Sequence, residues 1–412
     1  MTNPTSQNIL AARLQAMGES ETLAMAQLAR ELKKKGRPII NLSLGEPDFD
    51  TPEIIKEAAI QAIRDNYSHY TPVAGYDELR EAVCEKLFRD NGLRYEPDEI
   101  VCATGAKQAI ANVVYALVNP GDEVLLPVPY WVSYREMVRF AEGRCVFVPA
   151  TLDEGFKPDP ERLEGMITDR TRLIMFSSPC NPSGAVWNWK DLQALASVVA
   201  SHPRLYVLSD EIYEHIHFGE KPCSLAAFPE IRDRVITVNG LSKGFAMTGW
   251  RFGYSASHRL LAQACVKIMG QYTSATCCIT QRAAIAALRA VPQSVIGPMV
   301  EAFRRRREKL ISLLEGVPGL RYYPPEGAFY IFADISAYLN SLTPKGQVIR
   351  DAQDLCMYLL YEVGVALTPG NAFGMNDHIR FSFAASEEAI EESVYRVRKA
   401  LSDLEPIKSE NA

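Results

Sequence analysis

The 412-residue chain has none of the marks of a membrane-spanning, secreted or metal-binding protein. It contains no run of 18 apolar residues, so no stretch reads as a membrane span. Its opening, MTNPTSQNILAARLQAMGES, has polar and charged residues where a signal peptide needs an apolar centre. The nine cysteines form no CxxC pair, and the adjacent Cys277 and Cys278 are poorly placed to bond each other. An odd number of thiols with no export signal leads us to expect a cytoplasmic protein with reduced cysteines. The six histidines show neither HxxxH nor HExxH spacing, so no metal site is expected. Positive charge is also scarce: the formal net charge is −6, which gives no general attraction to nucleic acid or to anionic lipid. Any basic site has to be local.

What remains is an ordinary globular composition, 47% hydrophobic and 23% charged. The length suits two domains of about 150–250 residues each. In the middle of the chain, short apolar runs (EIVCATG, DEVLLP, CVFVPA, RLIMFSSP, RLYVLSD, RVITVNG) alternate with helical patterns. One helix would bury Ile110, Val113, Val114 and Leu117, and another Leu192, Leu195, Ala196 and Val199. The alternation predicts an α/β domain with a mostly parallel sheet covered on both faces. From about residue 292 the pattern changes to a long helix, then strands, a helix near 351–362, a strand at 378–384 and a last helix from Ser386. That reads as a smaller α+β domain. The basic run Arg304–Arg307 has acidic neighbours and reads as a solvated helix face rather than a nucleic-acid contact.

Ligands of open α/β sheets bind beyond the carboxyl ends of the strands, and unusual polar residues collect there. After EIVCATG, Gly105 opens a helix whose free N–H groups suit a phosphate, although a plain tight turn reads equally well. Asn181, between Pro179 and Pro182, sits in a stiff loop, and the Asn181–Pro182 bond is a candidate cis peptide. Asp210 emerges from a buried strand, where an isolated carboxylate needs a partner or else serves as a helix N-cap. Tyr213 would share a helical face with it. Lys243 follows another buried strand amid Gly240, Gly244, Phe245 and Met247. Desolvation there would lower its pKa and make it a Schiff-base nucleophile. Arg251, eight residues on, suits bidentate binding of phosphate or carboxylate. Trp131, beyond a further strand, offers a flat face for stacking. A lysine for an aldehyde, an acid for a pyridine nitrogen, a phosphate cradle and a stacking ring are together what pyridoxal 5'-phosphate requires.

The segments SLGEPDFDTP, YTPVAGYDELREAV, TGAKQA, SSPCNPSG, SDEIYEHI, SKGFAMTGWRFGY, PEGAFYIF and HIRFSFAAS resemble, in order, the class I aminotransferases of pyridoxal-phosphate fold type I. The wording is most similar to the bacterial aspartate aminotransferase subgroup and runs from about residue 20 to residue 400. The resemblance implies a seven-stranded large domain at 47–291 and a small domain made of 1–46 with 292–412. It implies that Lys243 bonds the cofactor's aldehyde and moves the proton, and that Asp210 pairs with the pyridine nitrogen. Asn181 and Tyr213 would serve the ring oxygen, Gly105, Ala106, Ser242 and Arg251 the phosphate, and Trp131 the ring face. Arg380 would clamp the substrate's α-carboxylate with Asn181 and the Gly45 backbone, and Tyr70 would reach the phosphate of a neighbouring subunit in a homodimer. Lys107 and Thr22 match positions near the pocket for a distal carboxylate, so aspartate or glutamate with 2-oxoglutarate or oxaloacetate are the expected substrates.

Other readings stay open at this point. Prephenate or aromatic aminotransferases and β-lyases share the fold, and a transcription regulator with an aminotransferase-like domain would need a helix-turn-helix for which the chain has no room before residue 40. Two segments depart from the subgroup's pattern: Glu19–Thr22, and the stretch around Cys277 and Cys278.

Overall fold

The computed structural model describes residues 11–15, 17–18 and 21–407. Seven strands build the large sheet: β1 (Ile100–Ala103), β2 (Glu123–Pro127), β3 (Arg144–Val148), β4 (Thr171–Ser177), β5 (Tyr206–Asp210), β6 (Val235–Gly240) and β7 (Gly253–Ala256). Their order across the sheet is β1-β7-β6-β5-β4-β2-β3. Only β7 runs antiparallel to its neighbours, pairing Gly253 with Gly240 of β6 and with Ala103 of β1.

Strand side chains alternate between faces, so a sheet covered on both sides is apolar at every position. Val124, Leu126, Leu173, Met175, Leu208, Ile236 and Val238 share one core with Ile110, Val113 and Val114 of the helix Ala106–Leu117. Leu125, Ile174, Phe176, Val207 and Val235 point into the other, packed with Leu192, Leu195, Ala196 and Val199 of the helix Trp189–Ser201. The continuous apolar runs of the sequence are thus two half-sets of residues facing two cores.

The C-terminal part contains the long helix Pro292–Leu314, the helices Ala352–Val363 and Glu387–Ser402, and a four-stranded antiparallel sheet. Its strands are β8 (Arg321–Tyr322), β9 (Tyr330–Asp334), β10 (Thr368–Pro369) and β11 (His378–Ser382), ordered β10-β11-β9-β8. From the other end of the chain, Ile40–Asn41 adds in parallel to Val365–Ala366.

Three of the four arginines in the basic run are tied back to the protein, and only Arg305 among them stays exposed. Arg306 makes two bonds to Asp48 (2.7 and 2.9 Å), Arg307 Nε donates to Pro325 O at 2.6 Å, and Arg304 Nη1 donates to Phe218 O at 2.7 Å. The guanidinium of Arg306 also lies over Phe49 at 4.9 Å. Long arginine stems reach back across the helix and tie it to three distant segments, an arrangement that charge patterning along one helix cannot reveal. Among the described residues, no single helix is long and apolar enough to cross a membrane.

Candidate active site

The carboxyl ends of the parallel strands border a cavity of about 320 Å³. Because β7 runs the other way, its amino end, carrying Arg251 just before it, arrives at the same edge. β1 passes through Gly105 (φ 88°) directly into the helix Ala106–Leu117. A Cβ at Gly105 would collide with the Arg251 guanidinium, and one at Gly253 would collide with the Gly105–Ala106 backbone. Glycine at both places lets the cation lie against the helix N-terminus. Arg251 Nη1 is anchored on Thr248 O at 2.8 Å, and Ser242 borders the same corner. Free N–H groups, the positive end of the helix dipole and a guanidinium together suit a phosphate.

Asp210 ends β5 and is 5% exposed. Its Oδ2 accepts from the Tyr134 hydroxyl at 2.8 Å and its Oδ1 from the Ile212 N–H at 3.2 Å. Burial pushes its pKa up to about 6, against the pull of those donors and of Lys243. The residues after it form a turn rather than the helix that the sequence suggested, so Tyr213 reaches the cavity from a turn and not from a face shared with Asp210. The Tyr213 and Tyr330 hydroxyls are 2.9 Å apart.

Lys243 is half-buried, and its Nζ donates to Gly45 O. Burial brings its pKa down to about 8; Arg380 and Arg251 act in the same direction, while Glu46 and Asp210 oppose. Lys107 Nζ lies 5.0 Å from the centre of the Trp131 ring, and its pKa is lowered by burial and by Arg251.

Arg380, in the middle of β11, is 2% exposed. Nη1 donates to Asn181 Oδ1 at 2.7 Å, and Nη2 donates to Ser43 O at 2.7 Å and Thr368 Oγ1 at 3.2 Å. The guanidinium lies over Tyr330 at 4.3 Å and Phe373 at 5.1 Å. Its Nε has no hydrogen-bond partner, and among the described residues no carboxylate pairs with it. A buried guanidinium with an unused donor is costly unless a ligand supplies the acceptor.

Gly45, Ala106, Lys107, Trp131, Asn181, Asp210, Tyr213, Ser242, Lys243, Arg251 and Arg380 all border this one cavity, and Gly105 lies directly behind Arg251. Tyr70 stands apart and is 99% exposed. Thr22 belongs to the helix Glu21–Lys34, which presents Ala26 to the cavity, but its side chain lies outside the described residues. Asn181–Pro182 is cis, and so are Val128–Pro129 and Ser178–Pro179. Sequence reasoning missed Ser43, Leu44, Ile110, Ser177, Thr248 and Tyr330 in the lining and Tyr134 behind it. The signal for Tyr134 was its place three residues after Trp131, one helical turn away.

The donor set fits pyridoxal phosphate: a depressed lysine amine, a buried acid lacking a cation, a cradle that a Cβ would fill, and an indole. The Ser177 hydroxyl, which also faces the cavity, is buried without a partner.

Known proteins agree with this geometry. A family profile described as aminotransferase class I and II matches residues 37–397. A Petunia hybrida protein named bifunctional aspartate aminotransferase and glutamate/aspartate-prephenate aminotransferase is 45% identical over 96% of this chain and 84% of its own. The solved aspartate aminotransferase of Rhizobium meliloti superposes with a TM-score of 0.92 at 41% identity, covering 96% of this chain and 99% of that one. That of Thermus thermophilus, solved with maleate, gives 0.88 at 41% identity over 95% and 99%. The chain belongs to the class I and II aminotransferases, pyridoxal-phosphate enzymes of fold type I.

Proposed function

We propose that the protein moves the amino group of aspartate or glutamate to a 2-oxo acid, with 2-oxoglutarate and oxaloacetate as acceptors, in two half-reactions. The observation that carries this is Arg380: a buried guanidinium, clamped by Asn181, Ser43 and Thr368, with a free donor and, among the described residues, no carboxylate partner. An α-carboxylate completes it. At the other side of the cavity, the Lys107 ammonium over Trp131 offers a partner for a distal carboxylate.

Bound pyridoxal phosphate supplies an electron-withdrawing ring that acidifies the substrate's Cα–H. Lys243 Nζ takes that proton and later returns it, for which the amine has to be neutral; its lowered pKa serves this role. Asp210 supplies the anion facing the pyridine nitrogen, and Tyr134 and the Ile212 amide orient it. Tyr213 and Asn181 would donate to the ring oxygen, Trp131 would cover the ring, and Gly105, Ala106, Ser242 and Arg251 would hold the phosphate.

The roles of Tyr70 and Thr22 extend this reading: Tyr70 would serve a second subunit of a homodimer, and its full exposure in the single chain supports that. We place the domain boundaries at 1–46 with 292–412 and at 47–291; the pairing of Ile40–Asn41 with Val365–Ala366 supports the first grouping. A cytoplasmic location accords with nine unpaired cysteines.

A second reading, with prephenate as acceptor, is favoured by the names of the Petunia protein and of the Rickettsia felis relative, a probable aspartate/prephenate aminotransferase 43% identical over 95% of this chain. The test is a panel of half-reactions with aspartate, glutamate, phenylalanine, alanine and arogenate, read by the cofactor's spectrum. Lys107→Ala should slow aspartate far more than alanine. An equal effect on both would remove Lys107 from substrate recognition. Release of ammonia and pyruvate would indicate a lyase.

A further inference from the structure

Behind the cavity lies a buried polar cluster for which the reaction has no evident use. β5 ends at Asp210, the turn after it carries Tyr213, Glu214 and His215, and the loop that carries Lys243 continues into Gly244 and Phe245. The two segments meet at the His215 side chain. The His215 ring stands at 90° to the Phe245 ring with centroids 5.5 Å apart. A Cβ on Gly244 would lie only 2.9 Å from His215 Cδ2 and 3.2 Å from its Cβ.

The imidazole is itself held from behind. Its Nε2 is 3.3 Å from Glu214 Oε1. Glu214 pairs with Lys86 and accepts from Asn91 Nδ2 at 3.0 Å, while Lys86 Nζ donates to Asn91 Oδ1 at 2.9 Å. Lys86 and Asn91 belong to one helix, Asp77–Asn91. Burial lowers the pKa of His215, and the neighbouring Glu214 carboxylate opposes that shift.

This contact matters because Lys243 lies three residues beyond the end of β6, whereas Asp210 is still held in the pairing of β5 with β6. Parallel pairing of β5 with β6 ends at Asp210 and Val238, and the Glu211 N–H to Val238 O bond (2.8 Å) continues it by one step. Among the described residues, no hydrogen bond joins Asp210 to Lys243. Past Gly240 the Lys243 loop is closed by its own backbone bonds (Phe245 N–H to Leu241 O and Met247 N–H to Ser242 O, both 3.2 Å), and its Phe245 packs against the His215 ring of the turn after Asp210.

We propose that His215, fixed by Glu214 and Lys86, is a positioning residue that sets the spacing between the turn that follows Asp210 and bears Tyr213 and the loop bearing Lys243. The proposal rests on Lys243 being the reactive amine. That is checked first on the wild type, by borohydride reduction of the holoenzyme and mass analysis of the cofactor-bearing peptide; a cofactor trapped elsewhere overturns the Lys243 assignment and leaves the contact itself standing.

The test compares His215→Ala, Gly244→Ala, the double variant and His215→Gln. His215→Ala removes the wedge, and Gly244→Ala pushes against it from the other side. Each should lower kcat about 10-fold while leaving KM for the amino acid within about threefold, because misplaced reacting groups cost rate rather than substrate binding. The double variant should recover part of the loss, since the added methyl occupies space that the imidazole vacates. His215→Gln, whose amide N–H can still reach Glu214, should stay closest to the wild type and keeps the test open if the alanine variant folds poorly. In the cofactor-free protein, the pH midpoint for acylation of the Lys243 amine should move in both single alanine variants. Loss of thermal stability with unchanged kcat and an unchanged acylation midpoint would reduce His215 to a structural role and overturn the proposal.

Discussion

Replacing Lys86 by methionine should destabilise the protein by about 3 kcal/mol at neutral pH, and lowering the pH should shrink that loss. Methionine keeps most of the volume of the lysine stem and removes the charge together with the bonds of Nζ to Glu214 and Asn91. Lys86 and Glu214 are both buried, with side chains 4% and 9% exposed. Burial alone would push the Glu214 carboxyl up, yet Lys86, His215 and Asn91 outweigh it and bring the pKa to about 2. Set against an ordinary value of 4.5, this corresponds to about 3 kcal/mol at about 1.4 kcal/mol per tenfold change, within the range for breaking a buried pair by removing one partner. Glu211 shows what a buried carboxyl does with only hydroxyl partners: it accepts from Ser209 and Ser224 and is pushed up to about 8, chiefly by burial.

The sign of the pH dependence follows from these values. In the wild type the folded pKa of Glu214 lies below the unfolded one, so its contribution is complete above the unfolded pKa and is lost only as pH falls through about 2. In Lys86→Met the folded pKa should rise above the unfolded one, and protonation in mild acid then favours the folded state. Urea and thermal denaturation of both proteins at pH 7.5 and pH 5 would measure the gap. Equal stability at pH 7.5, or a gap that widens at pH 5, would refute the reasoning.

Two further outcomes concern the site. Arg380→Ala should raise KM for the amino acid by at least about 100-fold, because truncation removes a buried, charge-assisted clamp; steady-state kinetics would check this, and a change below about fivefold would contradict it. Tyr134→Phe removes a donor that favours the ionised form of Asp210, so the Asp210 pKa should rise above about 6. The acid limb of the kcat profile should move to higher pH with it, and an unmoved limb would separate Tyr134 from Asp210.

Much of this site was legible because strand ends advertise themselves. Asp210, Lys243 and Asn181 each follow a buried apolar run, where a charged or amide side chain is out of place unless it has work to do. Residues whose meaning depends on distant partners were hidden. Tyr330 joins through Tyr213 and Arg380, far away in sequence. Lys86 lies on a helix whose sequence reads as mostly solvated, and only the packing of Glu214 against that helix shows why a lysine is buried there. Arg304, Arg306 and Arg307 were misread for the same reason, since charge patterning sees neighbours along a helix and not the Phe218 carbonyl, the Asp48 carboxylate or the Pro325 carbonyl that bind them. The turn after Asp210 was misread as helical because the three-residue spacing of Asp210 and Tyr213 fits one helical face, while the contacts that fold the segment back, such as Glu211 N–H to Val238 O, are tertiary.

The most direct test of the central claim is single-turnover amino transfer from aspartate by Lys243→Ala, reconstituted with pyridoxal phosphate and followed by the cofactor's spectrum. The account predicts that the variant binds the cofactor and fails to convert it, while the wild type completes the half-reaction. Wild-type conversion rates in Lys243→Ala would contradict it.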